Sequence, residues 1–330
     1  MYPREVTATL VSLFGQDKRN IVVFLQGPPG IGKTALVGQA AQNARKELFS
    51  LALPTCESVD LRGLPRILDG ATRWASPLPK NGQGVLLLDE LASAAPDVQV
   101  AAHHIVHAEP GSDMSLPEGW HIVLTGNRAQ DKAHYRATSA PLRNRLTIIT
   151  AEADVKQWCE WAMNNRITPL VTGFVRWRPE LLVAKEIPND GAFPSPRAWE
   201  SVSNILTLSL AAGIEREMIT GTVGEGAATE FAAYLQTARD LPTIETILEN
   251  QAKAAVPTSP SLLYALATCL AQYTREHGQS AMKYVGRMPA EFGLLYVMDI
   301  RAHYDIWADA DIAQWIRDHH NLFETQGAIE

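Results

Sequence analysis

Four apolar runs in the first half of the chain have the pattern of strands that are buried on both faces. They are IVVFL at 21–25, VLLL at 85–88, HIVLT at 121–125, and LTIIT, which starts at residue 146. Continuous apolar runs of this length, rich in β-branched residues, are typical of strands in a parallel sheet. Between them, helices are predicted at about 34–46 and from 96 to about 107. Strands that alternate with helices indicate an α/β domain with a parallel central sheet.

The pattern changes after about Glu152. Apolar residues there recur at helical spacing, in VKQWCEWAMNN, SPRAWESVSNILTLSL and LLYALATCLAQYT, and clusters of proline and glycine separate these segments. The second half of the chain is therefore predicted to be all helical. A chain of 330 residues also exceeds what one hydrophobic core usually organises, which favours two or more domains.

Composition narrows the function classes. The net charge of −7 argues against a protein that holds duplex DNA on a broad basic face, so we do not expect nucleic acid as the partner. Three cysteines without CxxC spacing, Cys56, Cys159 and Cys269, favour neither a zinc site nor a disulfide framework and indicate a reducing compartment. No signal peptide pattern and no apolar run of about 20 residues is seen, so we expect a cytoplasmic protein that does not enter a membrane.

A glycine-rich segment joins the first predicted strand to the first predicted helix. GPPGIGKT matches the phosphate-binding pattern G-x-x-x-x-G-K-[ST] in the strand-then-helix context that the pattern requires. Glycines let backbone N–H groups face a polyphosphate, the lysine reaches its outer phosphates, and the following hydroxyl ligates Mg²⁺. The alternative is a chance glycine-rich turn. The residues predicted to bind ATP are Gly27, Pro28, Pro29, Gly30, Ile31, Gly32, Lys33, Thr34 and Ala35.

Polar side chains follow the next two predicted strands. VLLLDE ends in Asp89, which is predicted to hold Mg²⁺ together with Thr34, and in Glu90, which can take a proton from an attacking water. HIVLTGN ends in Asn127, whose neutral amide can position that water or contact a phosphate. The alternatives are solvated acids at the end of a strand and a turn-forming Gly-Asn pair.

Two arginines precede the last predicted strand, in SAPLRNRL. If this segment is extended, Arg143 and Arg145 point the same way, because side chains on a strand alternate with a period of two. Both could then approach one nucleotide. The alternative is that either arginine pairs with a surface carboxylate, which contributes little.

These motifs, in this order, resemble the MoxR branch of the AAA+ ATPases, close to its dynein-related relatives. The resemblance covers about residues 22–206 and rests on GPPGIGKT, ESVDLRGLP, VLLLDELASAAPDVQVA, LPEGWHIVLTGNR, LRNRL and FPSPRAW. It implies an AAA+ core and a helical lid, assembled as a hexameric ring with ATP between subunits. Given the change of pattern after Glu152, we expect the nucleotide-binding core at 1–152, the lid at 153–240 and a helical C-terminal extension at 241–330.

The resemblance also assigns roles to matching residues. Asn127 would be sensor 1, Arg197 of SPRAW would be sensor 2 and act in catalysis, and Arg145, directly before the strand, would be the arginine finger. Family insertions are expected near ESVDLRGLP and at about 107–118, the second as a short hairpin.

The leading hypothesis is a Mg²⁺-dependent ATPase that remodels or assembles a protein partner. The resemblance suggests that this partner carries a von Willebrand factor A domain. Two alternatives stay open at this point: a nucleic-acid motor, such as a helicase or translocase, and a scaffold that binds ATP without productive turnover.

Overall fold

A computed structural model describes residues 1–16, 21–131, 136–239, 241–301 and 304–325, with backbone only at 275–279 and 325. The chain divides into two compact units, Met1–Asp154 and Val155–Glu330. The expected lid, apart from residues 153–154, and the expected extension fall in the second unit, and their separation stays a prediction. The boundary expected at residue 240 and the end of the extension at 330 lie outside the described residues.

The first unit alternates strands and helices. Its α-helices are α1 (Pro3–Phe14), α2 (Lys33–Asn43), α3 (Ser58–Arg62), α4 (Pro96–Val106) and α5 (Ala140–Arg143). Its strands are β1 (Val22–Gln26), β2 (Glu47–Ala52), β3 (Leu64–Leu68), β4 (Ala71–Ala75), β5 (Gly84–Asp89), β6 (Trp120–Gly126) and β7 (Leu146–Thr150). Short 3-10 helices lie at Leu53–Thr55, Leu91–Ser93 and Ala129–Asp131.

Five of these strands form one parallel sheet in the order β2-β5-β6-β1-β7. This confirms the predicted α/β class and the parallel central sheet. The strands predicted from apolar runs are β1, β5, β6 and β7, and the central ones are buried along most of their length. The fifth, β2, was not predicted because its residues, ELFSLA, alternate between exposed and half-buried positions at the sheet edge.

A separate two-stranded hairpin interrupts the connection from β2 to β5. Strands β3 and β4 pair antiparallel, and the two loop residues between them, Asp69 and Gly70, both have positive φ. The hairpin expected at about 107–118 is wrong: the structure assigns no strand to that segment. The physical reason is that HAEPGSDMSLPE lacks strand alternation, whereas LPRILDGATRWA places Asp-Gly, a strong hairpin turn, between two strand-forming runs.

The second unit contains helices and no strand in its described residues, as predicted. Its α-helices are α6 (Val155–Asn164), α7 (Pro169–Trp177), α8 (Pro196–Leu206), α9 (Ala212–Val223), α10 (Glu225–Arg239), α11 (Ile244–Glu249), α12 (Pro260–Val285), α13 (Ala290–Ile300), α14 (Ala310–Asp318) and α15 (His320–Thr325). A 3-10 helix lies at Pro179–Leu181. In the described part of the chain, no helix is both long and apolar enough to cross a bilayer.

A buried ion pair ties three helices of the second unit together. The Arg176 guanidinium on α7 donates to both carboxylate oxygens of Asp299 on α13, at 2.5 and 2.6 Å, and to Thr268 Oγ1 on α12 at 2.9 Å. Burial alone would lower the pKa of Arg176, but the charge and hydrogen bonds of Asp299 raise it above its ordinary value. The arginine is therefore charged, and its stability inside the unit depends on the carboxylate.

Asp299→Asn should destabilise the protein strongly, because it leaves the buried Arg176 charge without its counter-ion. Breaking a buried pair in this way costs about 3–5 kcal/mol of unfolding free energy. The matched control is Glu230→Gln, which removes the carboxylate that Arg178 contacts at 2.5 Å on the surface. That change should cost under about 1 kcal/mol. Urea unfolding of both variants measures the difference, and equal losses would contradict this account.

Candidate functional site

The loop between β1 and α2 can adopt its shape only because of its glycines. Gly30 and Gly32 have φ of 77° and 92°, in the left-handed region. A Cβ on Gly27 would lie 2.8 Å from the carbonyl oxygen of Ala151, so no larger residue fits there. At its end, Gly32 caps α2 without a side chain, so the first N–H groups of this helix have no side-chain acceptor at the cap. Backbone donors and a helix N-terminus together favour an anion.

Lys33 lies inside this loop. Its side chain is largely buried, and its Nζ donates to the carbonyl oxygens of Gly27 and Pro28, both at 2.9 Å, and to Asn127 Oδ1 at 3.0 Å. The ammonium therefore connects the loop to the end of β6. A phosphate oxygen entering the loop would meet a positive charge that is already in place.

Thr34 and Asp89 converge from different elements. The Thr34 hydroxyl, at the start of α2, donates to the two carboxylate oxygens of Asp89 at 2.9 and 3.1 Å. A hydroxyl and a carboxylate at this separation are oxygen ligands of the kind Mg²⁺ takes in nucleotide sites. The donor set thus fits the metal that the sequence predicts at Thr34 and Asp89.

Thr125 is a member of the site that the sequence reasoning missed. It is fully buried on β6, and its hydroxyl donates to Asp89 Oδ1 and accepts from the backbone N–H of Glu90 at 3.0 Å. Register explains the contact: Leu88 on β5 pairs with Leu124 on β6, so the next positions along are Asp89 and Thr125. The available signal was a hydroxyl in an otherwise apolar buried run.

Glu90 has a strained backbone. Its φ of 59° and ψ of 42° lie in the left-handed region, which a residue with a side chain rarely adopts. Such a conformation costs about 1–3 kcal/mol and persists only where the surroundings fix it. Thr125 supplies one such restraint at the Glu90 N–H. The Glu90 residue is exposed, so its carboxylate is open to solvent water.

Asn127 is placed by the turn that follows β6. Its side-chain oxygen accepts from Lys33, as described above, and the next residue, Arg128, is held by Asp131. The Arg128 backbone N–H donates to the Asp131 carboxylate at 2.9 Å, and its guanidinium donates to the same group at 2.8 Å. This closed turn fixes the direction in which the chain leaves the strand.

Arg143 and Arg145 do not form the pair that an extended segment predicts. Arg143 ends α5, and Asn144 is also helical, so the alternation argument for a shared direction is wrong. The Ser139 hydroxyl caps this short helix by accepting from Leu142 N. This cap favours a helical turn over an extended segment. Arg143 donates to the Thr138 carbonyl oxygen at 2.6 Å, whereas the exposed Arg145 guanidinium makes no hydrogen bond or ion pair with any described residue.

Arg145 and the phosphate loop lie at opposite ends of the strands: Arg145 at the amino ends, the loop at the carboxyl ends. Strands β1 and β7 are parallel and in register from Val22 with Leu146 to Gln26 with Thr150. Arg145 therefore stands beside the start of β1, whereas the loop begins after its end. Five residues of strand separate the two levels, a distance of about 16 Å.

Arg197 belongs to the second unit. It follows Ser195 and Pro196 at the start of α8, where the Ser195 hydroxyl accepts from Ala198 N at 3.2 Å. The arginine is exposed in the first turn of this capped helix. Its role as sensor 2 stays a prediction.

The comparison with protein families agrees with this geometry. Residues 22–146 match the family model described as an AAA domain of the dynein-related subfamily. The first unit is an AAA+ domain. The match contains every strand of the central sheet except most of β7, the phosphate loop, Asp89, Glu90 and Asn127.

Comparisons of the whole chain with solved structures give only distant likenesses. The RuvB Holliday junction branch migration motor of Thermotoga maritima is 17% identical, with a TM-score of 0.39 and 83% of each chain covered. A putative ATPase from Cytophaga hutchinsonii is 13% identical, with a TM-score of 0.33, 89% of this chain and 79% of that one covered. NtrX from Brucella abortus is 12% identical, with a TM-score of 0.38, 91% and 67% covered. No curated protein matches the sequence.

Thr125→Val should destabilise the AAA+ domain more than its small change in shape suggests. The substitution removes the donor to Asp89 and the acceptor for the Glu90 N–H, and an unsatisfied buried polar group costs about 1–3 kcal/mol. Thr125→Ser keeps the hydroxyl and is the matched control. Urea unfolding gives the stabilities, and calorimetric titration with ADP and Mg²⁺ should show weaker binding for the valine variant only. Equal behaviour of the two variants would contradict a positioning role for the hydroxyl.

Proposed function

We propose that this chain is an ATP-hydrolysing AAA+ motor of the MoxR type that remodels or assembles a protein partner. It works as a hexameric ring, with Mg²⁺ and ATP bound between neighbouring subunits. The observation that carries the proposal is the contact of Lys33 with both the phosphate loop and Asn127, beside the convergence of Thr34, Asp89 and Thr125. Phosphate, metal and water ligands are thereby gathered at one edge of the sheet.

The residues divide the work of hydrolysis. The phosphate loop and Lys33 bind the polyphosphate, and Asn127 orients its outer phosphate or the water. Glu90 accepts a proton from the water whose oxygen attacks the γ-phosphorus, and the bond to the β–γ bridging oxygen breaks to leave ADP and phosphate. Mg²⁺ held by Thr34 and Asp89 would neutralise charge on the phosphate oxygens.

Arg145 acts on the nucleotide of a neighbouring subunit. Three observations support this. Its guanidinium is exposed, and it has no hydrogen-bonding partner among the described residues. It also lies at the amino ends of the strands, whereas its own phosphate loop lies at their carboxyl ends. An arginine so placed stabilises charge on the transferring phosphoryl group only across an interface between subunits. Arg143, which is bonded to Thr138 of its own chain, is a weaker candidate for the same role.

The remaining roles follow the MoxR resemblance. Arg197 serves as sensor 2, and changes in the angle of the helical lid transmit hydrolysis to a partner protein. A partner with a von Willebrand factor A domain fits this scheme. The protein works in the cytoplasm, where ATP is available.

Glu90→Gln should abolish turnover and preserve binding. A general base contributes about 10²- to 10⁴-fold to rate, so steady-state ATPase should fall by at least about a hundredfold. The glutamine keeps the size of the side chain, and the retained phosphate loop should bind ATP as tightly as before in calorimetric titration. Equal, near-zero rates in the wild type and the variant would favour a nucleotide-gated scaffold instead. Stimulation of the wild type by DNA or RNA, and not by protein partners, would favour a nucleic-acid motor.

Mixing two inactive variants tests whether the active site is shared. Arg145→Ala subunits retain the phosphate loop, and Lys33→Ala subunits retain the arginine. Some interfaces in a mixed ring then hold both intact halves, so ATPase activity should reappear on mixing. Each variant alone, at the same total concentration, is the control. Absence of recovery in freely exchanging mixtures would contradict an arginine that acts across the interface.

A further inference from the structure

The hairpin formed by β3 and β4, residues 64–75, concentrates several strongly exposed apolar side chains in one short segment of the first unit. Every residue of β3 is exposed, and Leu64, Ile67 and Leu68 are 62%, 82% and 56% exposed. Among the described strands, these two pair with each other and with no third strand. An isolated two-stranded hairpin is at best marginally stable in water, so its shape needs support from elsewhere.

That support comes from its base. Gly63 has a φ of 80°, and a Cβ there would lie 2.0 Å from the carbonyl oxygen of Ala75, so only glycine allows the strands to meet. The Trp74 backbone N–H donates to Asp113 Oδ2 at 3.0 Å, and Lys80 Nζ donates to the Asp113 carbonyl oxygen at 2.6 Å. The hairpin is thus anchored to the body of the first unit at one end and projects at the other.

One face of the hairpin carries two arginines directly opposite each other. Arg66 pairs with Arg73 in the antiparallel register, and like charges at such positions repel. Neither guanidinium makes a hydrogen bond or ion pair with any residue in the described ranges. The same alternation places Leu64 and Leu68 on this face and Ile67 and Trp74 on the opposite one. We call the face with Arg66, Arg73, Leu64 and Leu68 the arginine face.

We infer that the arginine face binds an acidic segment of the partner protein in which carboxylates are interspersed with apolar residues. The carboxylates pair with Arg66 and Arg73 and relieve their mutual repulsion, and the apolar residues cover Leu64 and Leu68. Guanidinium groups bind carboxylates through paired hydrogen bonds, which a lysine cannot reproduce. The inference deepens the proposed function, since it rests on a protein as the substrate of the motor.

Two features favour an acidic protein segment over nucleic acid as the ligand. Binding of single strands combines positive charge with aromatic side chains on which bases stack. The arginine face has no aromatic residue, because Trp74 lies on the other side of the hairpin. The chain as a whole also carries a net charge of −7, which repels a long polyanion but leaves a short local contact open.

Fluorescence anisotropy with the full chain tests this inference. The probe is a short labelled peptide in which pairs of glutamates alternate with leucines, titrated in the absence of nucleotide. The peptide with glutamine in place of glutamate should bind weakly, as should a single-stranded DNA of the same length. Arg66→Gln combined with Arg73→Gln should weaken binding of the acidic peptide by about tenfold or more, the effect of losing hydrogen bonds to charged groups.

A charge-matched control separates the face from general electrostatics. Lys185→Gln combined with Lys253→Gln removes two exposed positive charges from the second unit and should leave peptide binding unchanged. Basal ATPase and circular dichroism of the arginine variant should match the wild type, which shows that the fold survives. Equal weakening by both double variants, preference for DNA, or self-association that competes with the peptide would overturn the inference.

The two proposals fail separately in this design. A wild type that binds the acidic peptide without hydrolysing ATP would refute the motor and leave the arginine face standing as a binding site. A wild type that hydrolyses ATP but binds the acidic and amide peptides equally would refute the arginine face alone.

Discussion

The Asp89 carboxylate is the group on which the candidate site depends. It accepts from Thr34 at the start of α2 and from Thr125 on β6, and Thr125 also holds the backbone N–H of Glu90. The start of α2 and the ends of β5 and β6, which are distant in sequence, are thereby held together. A predicted metal ligand, a predicted general base and the phosphate loop share a single hydrogen-bonded network, so a change in one alters the position of the others.

The parallel direction of the strands sets the second constraint. The carboxyl ends of all five strands lie on the same side of the sheet, so the phosphate loop, Asp89, Glu90 and Asn127 are close together there. Arg145 precedes β7 and therefore lies on the opposite side, at the amino ends of the strands. No rotation of a side chain spans the length of a strand. Arg145 therefore cannot reach a phosphate in the loop of its own subunit, and in the proposed motor it acts on the nucleotide of a neighbour.

The parts of the fold that the sequence revealed are those where one physical signal dominated. Buried strands read as apolar runs, and the phosphate loop reads as glycines at fixed spacing. The edge strand β2 was not predicted because its two sides differ in exposure. The role of Thr125 was not predicted because one buried hydroxyl in an apolar run matches no motif. The predicted orientation of Arg143 was wrong because the segment was assumed to be extended. The Ser139 cap, three residues before Leu142, makes it helical instead.

The hairpin lies next, in the chain, to the strands that carry the candidate nucleotide site. It interrupts the crossover into β5, the strand that ends in Asp89, and Asp113, which anchors it, lies in the connection into β6, the strand that carries Thr125. Strands β5 and β6 pair in a continuous parallel register from Gly84 with Trp120 to Leu88 with Leu124. The hairpin and its anchor Asp113 thus lie in the two connections that lead to the amino ends of these strands, whose carboxyl ends hold Asp89 and Thr125. In the proposed motor, the partner acts at the amino ends of β5 and β6, and the nucleotide acts at their carboxyl ends.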